Sequence, residues 1–222
     1  MAISLDHLQG ATDPSTGTWT LTNAVTAGAL LVIGAGSFGG SVTGGSVSDG
    51  THTYTLTLDA TVRNVGSNIP VSFLYCICTS GLSTGATVTP TGGANIVVAA
   101  LSATGVASSS FLVASAGADA ASSFNWSTPS IDTTGTNGCL IISYCAVTGA
   151  SGTNTPNSPA LDGGQDGNFC ALQYDIQTTG GSGTSRGGAW SGGHSATAAI
   201  AAFKPAAAAA AFIPRVIGYW TE

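Results

Sequence analysis

The chain has 222 residues, enough for one sandwich-sized domain with a real core, and ten acidic against four basic residues give it a formal charge of −6. Only 6% of its residues are charged, against roughly 25% in an ordinary soluble domain, so neutral Ser, Thr, Asn and Gly must cover the surface. Arg63, Arg186, Lys204 and Arg215 are scattered, which leaves no basic footprint for a phosphate backbone and argues against nucleic acid as a partner.

From the N-terminus, Met1-Ala-Ile-Ser-Leu-Asp-His7 has neither a basic n-region nor an apolar h-region. No secretory leader is read there. Residues 1–17 are expected to be an N-terminal arm, and assembly is expected in a cytoplasm. The 32 glycines favour tight turns and disfavour long helices. Strands are then predicted at 18–23, 29–35, 53–58, 71–79, 86–91 and 95–103, and further on at 110–114, 139–147, 169–177 and 196–203. Thr53-Tyr-Thr-Leu-Thr-Leu58 alternates as a half-exposed strand does, whereas Leu30-Leu-Val-Ile33 reads as buried on both faces. Residues 39–50, 149–159 and 178–193 read as long, small-residue loops. The apolar runs stop well short of the roughly 20 residues that span a bilayer, so membrane insertion is not expected.

The chain looks internally duplicated. Trp19 opens a Trp strand, a Thr/Gly turn and the aliphatic strand to Ile33; Trp126 opens the same succession to Ser143. An aromatic strand follows in each half, Phe73–Cys78 and Phe169–Tyr174, and each half closes on an Ala-rich strand. One half alone would leave an apolar face uncovered, and two can cover each other. The expectation is therefore an all-β fold: a single jelly-roll-like β-sandwich over 18–205, built from halves at about 18–105 and 125–205. Beyond Pro205, residues 206–222 form an apolar tail with Phe212, Ile213, Val216, Ile217, Tyr219 and Trp220. Such a tail must pack, either as an attachment and self-association element or back onto its own sandwich.

Chemistry-bearing motifs are few. Gly34-Ala-Gly-Ser-Phe-Gly39 matches the dinucleotide fingerprint, with Asp59 about twenty residues on, but no helix could start in the glycine-rich run that follows. No cofactor is expected. Asp162, Asp166 and Asn168 resemble part of an oxygen-rich calcium loop, although the only Glu is residue 222; a polar turn is the competing reading. His7, His52 and His194 stand apart, and a Ser–His–Asp relay around His52 or His194 would have to come from geometry. No catalytic residue is nominated, and the chain is not read as an enzyme. Trp190 and His194 lie in a stretch that reads as a loop, where Trp190 either packs or contacts a ligand such as a glycan. Cys76, Cys78, Cys139, Cys145 and Cys170 fall in apolar runs and read as reduced core thiols.

At 19–33, 52–58, 71–88 and 195–206 the chain resembles the Gly/Ser/Thr-rich β-sandwich modules of tailed-bacteriophage virion proteins and some bacterial surface proteins. The likeness lies in Thr51-His-Thr-Tyr-Thr-Leu56, in the aromatic strand before Thr79-Ser-Gly-Leu-Ser-Thr-Gly-Ala-Thr-Val88, and in Ala198-Ala-Ile-Ala-Ala-Phe-Lys-Pro205. The resemblance implies a virion structural component such as a capsid decoration, head fibre or tail appendage. Its partners would be other virion proteins and copies of itself. A carbohydrate- or receptor-binding module of a fibre or bacterial surface protein is the alternative.

Overall fold

A computed structural model describes residues 2–12, 18–62, 65–66, 69–148, 152–166 and 169–207. Its described elements are strands throughout: β1 (Ser4–Thr12), β2 (Trp19–Thr20), β3 (Ala29–Ser48), β4 (Thr53–Leu58), β5 (Val71–Cys78), β6 (Thr87–Thr104), β7 (Leu112–Ser127), β8 (Cys139–Val147), β9 (Asn154–Pro156), β10 (Leu161–Asp166), β11 (Cys170–Gln177) and β12 (Gly187–Phe203). They make two six-stranded sheets. The first runs β1-β6-β3-β4-β5, with β3 also paired to β5 and β2 to β6; the second runs β10-β11-β8-β12-β7, with β9 paired to β12. Each sheet comes from one half of the chain, and the fold is an all-β sandwich.

Strict alternation builds the core between the sheets. Leu30 and Val32 on β3, Phe73 on β5 and Leu101 on β6 face Leu140, Ile142 and Tyr144 on β8 and Phe203 on β12, in one buried cluster. Tyr144 is the largest side chain to cross this layer, and its hydroxyl donates to the Val97 carbonyl at 2.9 Å. Gly34 makes room for it, because a Cβ there would run into the Tyr144 ring. A Cβ on Gly36 would lie 2.7 Å from that of Ala146. Gly34 and Gly36, two of the three glycines of the dinucleotide-like string, are thus spacers between the two sheets.

The odd residues of β3 point the other way, so the reading of 30–33 as buried on both faces holds. What buries the outer face differs from expectation. Residues 39–48 are not a loop. β3 continues to Ser48, paired with β6 across irregularities between Gly39 and Gly44. Gly40, Gly92 and Gly93 take positive φ at this bend, a conformation that costs glycine little. Beyond it Val42, Val47, Leu56 and Val88 join Trp19 and Leu21 in one cluster with Leu31, Ile33, Leu74 and Ala100. The far ends of β3 and β6 therefore fold over the sheet that their near ends build.

Three further corrections follow from pairing. Residues 1–17, expected as an arm outside the sandwich, contribute β1, whose Ser4–Thr12 pairs with β6. The segments predicted at 86–91 and 95–103 are one strand, and so are 110–114 and the Trp126 segment. The loop predicted at 178–193 is strand from Gly187 onward. In the last two cases small residues were read as breakers, where a long bent strand uses them to turn. All five cysteines are buried and none is bridged.

Candidate functional site

The residues singled out in the sequence do not converge. Asp162 lies on β10, exposed, and accepts from Gln165 Nε2 at 3.4 Å. The expected calcium-loop turn is the edge strand Leu161–Asp166, paired to β11, with Asp166 opposite Cys170. A strand spreads successive side chains to opposite faces and cannot wrap one cation. Among the described residues no three His, Cys, Asp or Glu groups are placed to hold a metal. Asn168 and the tail residues Phe212, Ile213, Val216, Ile217, Tyr219 and Trp220 lie outside the described residues.

Trp190 is not on a loop. It stands in β12, only 3% exposed, clustered with Trp126, Cys145 and Ala171. Its ring faces the protein and offers no stacking surface. The other half of the expected ligand pair, His194, pairs with Ser123 along β12; its side chain lies outside the described residues. Trp19 and Trp126 are both buried, one over each sheet.

The first half does bring an Asp, a His and a Ser together, in a cavity of about 300 Å³. The order is wrong for a relay. Asp49 sits in the middle: its Oδ1 accepts the amides of Thr51 and His52 at 2.9 and 2.7 Å, and its Oδ2 accepts the amide of Ser83 at 2.9 Å. The amide of His52, then those of Ser83 and Thr51, hold the Asp49 carboxyl well below the usual carboxylate range. His52 Nδ1 is 3.7 Å from the same carboxylate. A nucleophile needs the imidazole between Ser and Asp, so this cluster is a turn brace. Asp59 likewise accepts from Thr61, Val62 and Ser115.

Geometry instead points to the second sheet. Arg186 donates from Nε and Nη2 to the two oxygens of Asp175 at 2.5 and 2.8 Å, with both side chains about nine-tenths buried. Its Nη1 donates to the Ser185 carbonyl at 2.7 Å. Arg186 also lines an open cleft of about 200 Å³ with Ser127, Asn157, Ser158, Ser185 and Gly187. That lining is hydroxyl, amide and a guanidinium already neutralised, so the cleft suits a neutral hydroxyl-bearing group better than an anion. Beneath its Gly187 side lies a buried polar row. Trp126 Nε1 donates to Asn154 Oδ1 at 2.9 Å, while Ser143, Gln173 and Asn154 are at most 2% exposed.

Sequence reading missed Arg186, Asp175, Asn154, Ser143 and Gln173. A signal was present: Ser143 interrupts Cys139-Leu-Ile-Ile-Ser-Tyr-Cys145, and Gln173 and Asp175 interrupt Cys170-Ala-Leu-Gln-Tyr-Asp175. Polar residues at alternate positions of buried strands require partners.

Set against protein-family models, curated proteins and solved structures, the chain matches none.

Proposed function

We propose that the chain is a non-enzymatic structural component of a tailed-phage virion, a capsid decoration or head-surface protein assembled in the host cytoplasm and exposed on the particle. The observation that supports this best is where the reactive side chains go. Asp49, Asp59, Asp175 and Arg186 all brace turns or strands, which fits a protein selected for a durable shape. A surface with so few charges, and the resemblance in residues 18–205, point the same way. In this reading the two halves are repeats of one unit. The tail residues Phe212, Ile213, Val216, Ile217, Tyr219 and Trp220 make the attachment to other virion proteins or to further copies.

Deleting residues 208–222 tests the reading. The truncated protein should keep its melting temperature and its β spectrum while losing its place on the particle or in its oligomer. Unfolding of the truncated chain, with the full chain monomeric and unable to join any particle, would contradict it. The second reading, a glycan- or receptor-binding module, is favoured by the cleft around Arg186 and no longer by Trp190. Glycan-array binding that disappears on enlarging Ser158 or Asn157 to Trp would establish it over the first.

A further inference from the structure

The two sheets present matched positions to their outer covers. On the first, Ile33 lies between its partners Leu74 and Ala100. On the second, Ser143 lies between Gln173 and Ile200. The covering strands match as well: Val88 pairs with Trp19 in the first half, and Gly188 with Trp126 in the second. Where the first half stacks Val88 over leucine and isoleucine, the second sets a bare glycine beside two amides. A Cβ on Gly188 would lie 2.7 Å from Gln173 Nε2 and 2.8 Å from Asn154 Oδ1.

Those amides are left short of partners. Ser143 Oγ, Gln173 Oε1, Gln173 Nε2 and Asn154 Nδ2 are fully buried with no hydrogen bond within the protein. Gln173 has neither of its polar atoms satisfied. Burying such groups dry is costly, and native proteins meet that cost with a bond or an internal water. The set contains both donors and acceptors, as a water molecule requires, and no net charge. It is sealed from solvent, which excludes anything much larger.

We propose that the outer face of the second sheet holds an internal hydration site, in which ordered water bridges Ser143 Oγ, the Gln173 amide and Asn154 Nδ2 beneath Gly188. The site is a property of the second half alone, since its counterpart in the first is closed by Ile33, Leu74 and Val88.

A high-resolution crystal structure of the full chain, with water-to-protein Overhauser contacts in solution, tests this. The expected result is a water within hydrogen-bonding distance of Ser143 Oγ and the Gln173 amide, and a long-lived water contact to the Gln173 side-chain amide protons. Direct bonding of the Gln173 amide to Asn154 or Ser143 after an amide rotation, with no water between, would overturn it. The wild-type measurement decides alone. In the Gln173→Leu, Ser143→Ala double variant a crystal structure should show no ordered water beneath Gly188, and a water retained there also overturns the assignment.

Discussion

The outer faces of the two sheets solve the same problem with different materials. Over the first sheet a single apolar cluster runs without a break from Trp19 and Val25 through Leu31, Ile33 and Leu74 to Val98 and Ala100. Over the second, the apolar cover splits in two. Trp126, Cys145, Val147 and Trp190 form one group, and Ile131, Cys139, Ile141 and Ile200 the other. The row Ser143–Gln173 lies between them, with Asp175 and Arg186 beyond it. Backbone pairing is alike on both sheets, so strand order does not set how a face is sealed. The side chains at a few matched positions do.

The largest effect expected from disturbing this contrast is at the ion pair. Arg186→Met leaves Asp175 buried without its counter-charge and should lower stability by about 3–5 kcal/mol. Chemical denaturation of the variant checks it, and a loss under about 1 kcal/mol, the size of an exposed pair, would show that the pair is wet.

Next come matched substitutions on the two faces. Leu74→Ala opens a hole in the continuous cluster and should cost about 2–5 kcal/mol. At the matched position Gln173→Leu removes two polar atoms that have no partner within the protein, at similar volume, and stability should change by less than about 1.5 kcal/mol. Equal losses from the two substitutions would erase the distinction between the faces.

The smallest effect concerns acid. Burial pushes the Asp6 carboxyl up, but hydrogen bonds from Thr26 and Ser102 outweigh it and hold it low. Asp49 is held low by backbone amides, and Asp132 in the second half by Thr134. A carboxylate whose folded pKa is depressed adds stability above its unfolded pKa and loses it as pH falls through the folded value. Stability should therefore decline below the ordinary carboxylate range, with two of these three groups in the first half. Asp49→Asn should flatten the acid limb of a melting-temperature profile, whereas an unchanged limb would contradict the assignment.

How far the sequence foretold these faces depended on which residues carried the message. Leu30-Leu-Val-Ile33 announced a strand buried on both sides because four large aliphatics in succession leave no polar face. The bends in β3, β6 and β12 were not legible, since Gly40, Gly92 and Gly93 are equally good at ending a strand and at turning one. Trp190 was misplaced for the same reason, being flanked by Gly187-Gly188 and Gly192-Gly193. Arg186 and Asp175 are eleven residues apart, and only the register of β11 against its neighbours joins them. The similar runs headed by Trp19 and Trp126 were visible, but the polar row needed the pairing of Ser143 with Gln173 to be seen as one object.

Native-state amide hydrogen exchange on the intact protein tests the contrast most directly. The amides of Val47 and Val88, which seal the first sheet, should exchange only with global unfolding. Those of Ala189 and Trp190, over the polar row, should exchange through a smaller local opening at a free energy at least about 1.4 kcal/mol lower, a tenfold difference in rate. Equal protection of the two covers, or a first cover that opens before the second, would contradict the account.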